Sequence, residues 1–302
     1  MYAKYVLLTV FLLSLAAITG YAQSDQDYVD MIYATSAESD IILQDTTNGW
    51  HFEWVGGLNG SQATYRNWSQ GGVNTISMTA STLFNLKYRR NQFGYQLVTN
   101  FRYGQARIEG EGTRKTDDKI ALANKFSYLF KDERFNIFGN INFTTQFDKG
   151  YDYNKDPKLL LSRFMAPAYL SQVLGLGFHP AEYFSAEAGL AMKETIVRDT
   201  TLSERYGLEP REKFRFEPGY SLIFNFEKKI VSNVRLVSTV ETFTNLKESV
   251  RKTDINFSNE VVGKINDYLN TSFQFVLVYD EDFSREVQLK QVLSVGFSYS
   301  FL

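Results

Sequence analysis

The sequence has no cysteine among its 302 residues. That absence excludes disulfides, thiolate metal sites and a lipid-modified N-terminal cysteine. Histidine is nearly absent too, with two residues, and proline is scarce, with five. The formal net charge is −2, so neither a nucleic-acid partner nor a strongly acidic ligand is indicated. After the N-terminus, no apolar run is long enough for a transmembrane helix.

Aromatic side chains are abundant instead. They make up 16% of the chain, with 19 Tyr and 25 Phe. The mean hydropathy is nevertheless −0.27, so apolar residues must be interleaved with polar ones and not gathered in blocks. Interleaving of this kind is typical of strands that have one wet face.

The N-terminus predicts an export signal over residues 1–22. Lys4 supplies a positive charge, Val6 to Ile18 are mainly apolar, and Gly20-Tyr21-Ala22 has the small-x-small pattern of a cleavage site. The alternative, a membrane anchor, is disfavoured because the run is shorter than the ~20 residues that span a bilayer. Residues 23–49 are polar, and we interpret them as a periplasmic lead-in to a barrel over residues 50–302.

Alternation of apolar and polar residues predicts twelve strands. In the last segment, apolar residues such as Leu289, Leu293 and Phe297 alternate with small or polar ones. The predicted spans are 50–60, 74–89, 92–107, 118–130, 135–148, 165–178, 183–196, 213–228, 233–247, 254–266, 269–280 and 287–302. Short links alternate with longer ones, at 61–73, 108–117, 149–164, 197–212, 248–253 and 281–286. This alternation predicts an antiparallel up-and-down meander.

The fold class expected is an all-β, up-and-down transmembrane β-barrel of about 12 strands. The strands are longer than the ~5–6 residues common in soluble sandwiches, and a tilted strand needs ~9–11 residues to cross the hydrocarbon. Aromatic residues cluster near the short turns, as in interfacial girdles. Closure of the sheet gives every backbone polar group a hydrogen-bond partner within the protein, as the bilayer interior requires. The expected location is the cell outer membrane.

The first long loop and the last strand each carry a recognisable motif. The first long loop contains Asn67, Trp68, Ser69, Gly71 and Gly72. The two glycines permit a tight return. Trp68 suits either an interfacial anchor on a rigid loop or a contact surface for a ligand or partner. At the other end, Tyr299 and Phe301 lie in an amphipathic last strand that is similar to the C-terminal signal of outer-membrane barrels.

The loop motif resembles a family of unknown function. Trp50, Trp54, Gly56-Gly57, Gln62 and the stretch from Asn67 to Asn74 are similar to a Bacteroidota outer-membrane family with an Asn-Trp-Ser-x-Gly-Gly signature. The resemblance covers most of residues 49–302. It implies an outer-membrane barrel and no established activity.

Charges of both signs fall on the faces predicted to point inward. They are Arg102, Lys125, Glu187, Lys193, Arg215, Glu217, Arg235, Glu241, Glu260 and Lys264. A twelve-stranded barrel has a narrow lumen. Two interpretations stay open: a salt-bridged interior that stiffens the barrel, or a pore selective for small solutes. Neither sign predominates.

These patterns predict a non-enzymatic protein. His51 and His179 have no obvious nucleophile or acid beside them, and no catalytic, metal or phosphate motif appears. We expect no cofactor. Asp152, Asp156, Asp280, Glu281 and Asp282 are interpreted as solvated loop acids in preference to calcium ligands.

The predicted function is a narrow channel or transport barrel for small solutes. The alternative is a non-conducting structural or scaffold subunit of an outer-membrane complex. The expected partners are outer-membrane lipid and lipopolysaccharide, the barrel-assembly machinery and an envelope protein of unknown identity, with no nucleic acid.

Overall fold

The computed structural model describes residues 48–64, 73–266, 269–280 and 284–300. The predicted export signal, nearly all of the lead-in, the loop motif from Asn67 to Gly72, and Phe301 lie outside these ranges. No helix in the described ranges is long and apolar enough to cross a membrane.

Twelve strands form one closed antiparallel barrel, which confirms the predicted fold class and strand number. They are β1 (Gly49–Ala63), β2 (Thr75–Arg90), β3 (Phe93–Ile108), β4 (Gly112–Leu129), β5 (Phe135–Thr145), β8 (Ala168–Ala181), β9 (Phe184–Ile196), β10 (Phe214–Val231), β11 (Val234–Asn245), β12 (Asp254–Lys264), β13 (Leu269–Asp280) and β14 (Ser284–Ser300). Two short strands, β6 (Gly150–Asp152) and β7 (Leu159–Ser162), pair separately.

Each barrel strand pairs with the next one in the chain, except that β5 pairs with β8 and so bypasses the β6–β7 pair. The barrel closes where β1 meets β14, in a register that runs from Val55 opposite Ser300 to Asn59 opposite Gly296. The turns after β2, β4, β8, β10 and β12 are short and lie at the end that we call the short-turn end. The other connections define the long-loop end.

The predicted loop 108–117 is wrong. β4 begins at Gly112, and Ile108 pairs with Gly112 across a three-residue turn. Gly110 and Gly112 have φ values of +81° and +86°, a conformation that glycine adopts without strain. The β3–β4 hairpin therefore extends beyond the predicted strand ends.

The two faces of the sheet have opposite chemistry. On β9, for example, Leu190 and Met192 point outward and are exposed, while Glu187 and Lys193 point inward and are buried. Because side chains alternate across a strand, this pattern places one set on the outer surface and the other in the lumen. Exposed outward side chains include Trp50, Phe52, Trp54, Leu58, Met78, Phe126, Ile137, Ile141, Leu174, Leu176, Phe224, Leu289, Leu293, Val295, Phe297 and Tyr299.

Candidate functional site: the barrel lumen and its outer cap

An ion pair crosses one side of the lumen. Lys125 Nζ on β4 lies 2.7 Å from Glu187 Oε1 on β9, three strand steps away along the closed sheet. Both side chains are almost completely buried, and the ammonium also lies 5.6 Å from the centre of the Phe138 ring. A charge buried in this way must be paired, so the contact fixes the distance between two parts of the wall.

A second crossing lies nearer the long-loop end and also starts from β9. Lys193 Nζ lies 2.8 Å from Asp254 Oδ2 on β12 and 3.4 Å from Asp280 Oδ2 on β13. All three side chains are buried. We call Lys193, Asp254 and Asp280 the lumen triad. It joins strands that are three and four steps apart in the barrel.

Apolar side chains occupy the lumen between these crossings. Phe138, Val173 and Ala191 form a buried cluster against which Phe243 packs. The Phe243 ring fits because Gly219 on β10 has no side chain: a Cβ there would lie 2.6 Å from Phe243 Cε2. The lumen is therefore filled by side chains on the β5, β8 and β9 side.

A small cavity remains beside the Phe243 ring. Its lining includes Lys193, Glu241, Ser171 and Ser221. Its volume is about 40 Å³, and one water needs roughly 10–15 Å³, so the cavity can hold about three waters. The cavity is thus a small pocket beside the Lys193 and Glu241 side chains, with room for water.

Two of the long connections fold over this part of the lumen. They are residues 146–167 and 197–213, which we call the outer cap. Leu160, Ala166, Val197, Leu202, Tyr206 and Leu208 of the cap form one buried cluster with the wall residues Tyr169, Val276 and Val278. Val276 and Val278 lie on β13, so the cap crosses the mouth from β8–β9 to the opposite wall.

Hydrogen bonds hold the two parts of the cap together. Tyr206 Oη donates to the carbonyl oxygen of Leu161 over 2.9 Å. Arg163 Nη1 lies 3.0 Å from Asp199 Oδ2. Hydrogen bonds from the Thr201 hydroxyl and from Arg163 lower the pKa of the Asp199 carboxyl. The two segments of the cap are therefore bonded to each other as well as packed on the wall.

The other sequence-predicted charges occupy several levels of the lumen wall. Arg102 Nε lies 3.2 Å from Asp117 Oδ2, Arg215 Nη2 lies 3.0 Å from Glu217 Oε2, and Arg235 Nη1 lies 2.9 Å from Glu227 Oε1. Glu241 lines the cavity. Glu260 is half-buried on β12, and Lys264 is exposed at the end of that strand. Within the predicted set, the structure pairs Lys125 with Glu187 and Arg215 with Glu217.

Three other sequence-predicted positions can be placed. His179 lies within β8, beyond the predicted strand end at residue 178, and its Nε2 lies 2.8 Å from Asn136 Oδ1. Asp280 was interpreted as a solvated loop acid, which is wrong, because it is buried in the lumen triad. Tyr299 points outward and is exposed. In the described part of the chain, no group of three or more acids or histidines is placed to hold a metal.

Sequence reasoning missed the outer cap. Its two segments contain the predicted long links 149–164 and 197–212, to which no packing was assigned, because their apolar residues follow no strand period. The run Leu159-Leu160-Leu161 is the one signal that could have indicated a buried connection.

Together these features define a class of protein: a closed up-and-down β-barrel with an apolar outer surface, a polar lumen filled in part by side chains, and a cap over one mouth. A family model described as "Protein of unknown function (DUF3078)" matches residues 61–151. That match supports the expected resemblance to a family of unknown function over β2 to β5 and their connections. The Bacteroidota origin and the loop signature stay predictions. No curated protein matches the chain.

Several solved barrels are similar in outline. An outer membrane channel of the COG4313 group from Pseudomonas putida F1 has a TM-score of 0.43 at 10% identity, over 87% of this chain and 97% of that one. The translocator domain of the autotransporter NalP from Neisseria meningitidis has a TM-score of 0.43 at 12% identity, over 94% and 100%. The CymD monoaromatic hydrocarbon channel has a TM-score of 0.38 at 11% identity, over 94% and 98%. At these values the likeness carries no argument about function.

Proposed function

We propose that the protein is an integral outer-membrane barrel. The observation that carries this proposal is the exposure of large apolar side chains on the outward face of strand after strand: Leu190 is 71% exposed and Leu293 is 68% exposed. A soluble protein rarely exposes contiguous apolar surface on this scale. Contact with lipid tails gives that surface its favourable environment, and the closed sheet leaves no lipid-facing edge to solvate.

Aromatic pairs at the short-turn end support a membrane boundary there. The Trp50 and Tyr88 rings have centroids 4.6 Å apart, and the Phe135 and Phe178 rings have centroids 4.8 Å apart. Tyr183 lies in a turn at the same end. Rings at this level match the aromatic girdle of membrane barrels, whose amphipathic side chains lie among the lipid headgroups. By the usual topology the short-turn end then faces the periplasm.

Within that barrel we place a narrow path for small solutes along one side of the lumen. Inward side chains of β4 and β9, such as Lys125 and Glu187, are buried, whereas Glu53 on β1 is exposed and Glu241 on β11 is half-buried. Water therefore reaches the Glu53 and Glu241 side chains more readily than Lys125 and Glu187. The path that these residues leave is narrow, lined by charges of both signs, and suited to small polar solutes.

The second candidate is a non-conducting scaffold subunit of an envelope complex. The observation that favours it is the amount of lumen that the two crossings, the Phe243 cluster and the outer cap occupy. A barrel filled by its own side chains is a rigid platform and needs no open path. The expected partners, lipopolysaccharide, the assembly machinery and an envelope protein, belong to this proposal as much as to the first.

Fractionation and planar-bilayer recording test these proposals separately. Recovery of the full chain in detergent extracts of the outer membrane supports the location, and recovery as a detergent-free periplasmic protein overturns it. Stepwise currents from the reconstituted protein support the solute path. A silent bilayer, with a partner that co-purifies from detergent extracts, supports the scaffold instead.

A further inference from the structure

We infer that the outer cap is a gate for the lumen and that the lumen triad holds it closed. This inference rests on the proposed solute path. Three observations carry it: the cap packs on the far wall, the triad joins the same two walls beside that contact, and the cavity lies next to the triad.

The cap reaches across the mouth and ends in a packed apolar contact. Leu202, Tyr206 and Leu208 belong to the connection between β9 and β10, and they share a buried cluster with Val276 and Val278 of β13. Val278 is completely buried. Burial of this kind on an inward-facing wall closes the passage at that level, since a path for solutes requires accessible wall side chains.

The triad joins the same two walls beside this contact. Lys193 lies on β9 four residues before Val197 of the cap cluster, and Asp280 lies on β13 two residues after Val278. The ion pairs of Lys193 with Asp254 and Asp280 therefore fix the separation between β9 and β13. The contact between the cap and β13 can be close-packed at only one distance between β9 and β13, because close-packed contacts tolerate little displacement. Loss of the ion pairs should loosen the cap.

The rate at which a thiol in the cavity is labelled can measure how far the gate is open. Ser171 on β8 and Lys193 both line it. The chain has no native cysteine, so Ser171→Cys creates a single thiol below the cap. A charged methanethiosulfonate reagent added to the outer side of reconstituted protein would reach that thiol at a rate set by the cap.

The test compares three variants in the Ser171→Cys background. The first replaces residues 197–213 by an Asn-Gly turn, which the pairing of Ile196 with Phe214 accommodates. The second is Lys193→Met/Asp254→Asn/Asp280→Asn, which removes every charge of the triad. The third, a matched control, replaces residues 247–251 by Gly-Asn, because that loop is exposed and lies outside the cap cluster. Heat-modifiable migration on gels and circular dichroism show which variants fold.

We expect the loop replacement to raise both the labelling rate and the mean current at least about tenfold. The triad variant should also raise the labelling rate and the mean current. The control should have the same labelling rate and current as the parent. Equal labelling rates in the parent and a folded cap-replacement variant would overturn the gate. If labelling rises but no variant conducts, the gate stands and the solute path is wrong. If all variants conduct equally, the path stands and the gate is wrong.

Discussion

Lys125 Nζ on β4 and Glu187 Oε1 on β9 lie 2.7 Å apart in the interior of the barrel, although 62 residues separate them in the chain. Each belongs to a strand whose outward face is apolar. The pair therefore links two hairpins through the lumen and not through the sheet. Charges that are exposed in a wide pore gain little from such contacts, whereas these two are buried and depend on one another.

Removing one member of this pair should destabilise the barrel. We expect Lys125→Met to lower the free energy of unfolding by about 3–5 kcal/mol, because the Glu187 carboxylate would stay buried without the Lys125 ammonium 2.7 Å away. Urea titration of protein folded into lipid vesicles, followed by tryptophan fluorescence, measures the change. The double variant Lys125→Met/Glu187→Leu removes both charges and should recover most of the loss. Equal losses in the single and double variants would contradict an ion-pair origin.

A side chain at Gly219 should displace the Phe243 ring. Any Cβ there would lie 2.4 Å from the carbonyl oxygen of Thr244 and 2.6 Å from Phe243 Cε2. We expect Gly219→Ala to cost about 1–3 kcal/mol of stability, as overpacked interiors do. The matched control is Gly139→Ala, since its Cβ would meet nothing closer than Leu174 Cδ1 at 4.0 Å. The same urea titration applies, and an equal effect at both sites would rule out the packing explanation.

Leu190 tests the proposed lipid contact. It points outward from β9 and is the most exposed of the large apolar side chains described. We expect Leu190→Arg to reduce the free energy of folding into vesicles by about 2–4 kcal/mol, the cost of a cation near the bilayer midplane. Leu246→Arg is the control, because Leu246 is also exposed but lies in a long-loop-end connection. If Leu190→Arg changed the free energy of folding into vesicles little or not at all, the outward surface around Leu190 would be in contact with water and not with lipid.

The cap should respond to acid through Asp199. Hydrogen bonds from the Thr201 hydroxyl and from Arg163 lower the pKa of this carboxyl from its usual 3.8. A carboxyl with a lowered pKa in the folded state stabilises that state at pH values above its unfolded pKa, and the contribution is lost as pH falls through the folded pKa. We therefore expect Asp199→Asn to be less stable than the parent at neutral pH.

The difference in free energy of unfolding between the parent and Asp199→Asn should shrink below about pH 3.8. It should vanish once Asp199 is protonated in both the folded and the unfolded chain. Unfolding titrations of parent and variant at a series of pH values measure it. Thr201→Val should reproduce part of the loss, since it removes the hydroxyl that donates 2.7 Å from Asp199 Oδ1. A difference that does not change with pH would show that the carboxylate charge has no part in the effect.

The alternation of apolar and polar residues predicted the barrel, because successive side chains of a strand point to opposite faces of the sheet. The predicted span 269–280 coincides with β13, and most other strand ends agree within about three residues. The register needs no long-range information in a meander, because each short turn sets the pairing of the two strands that it joins. The early start of β4 was missed because the polar stretch from Thr113 to Asp117 carries no alternation.

The sequence by itself determined that this chain is an antiparallel barrel with an apolar outside and charged residues inside, since a period of two is a local property of the backbone. The tertiary structure alone decided which inward charges meet. Lys125 could face any acid on the interior, and the closure and stagger of twelve strands put Glu187 opposite it. The same closure brings Val276 and Val278 within reach of residues 197–213, so that two connections without strand pattern become a packed cap over the lumen.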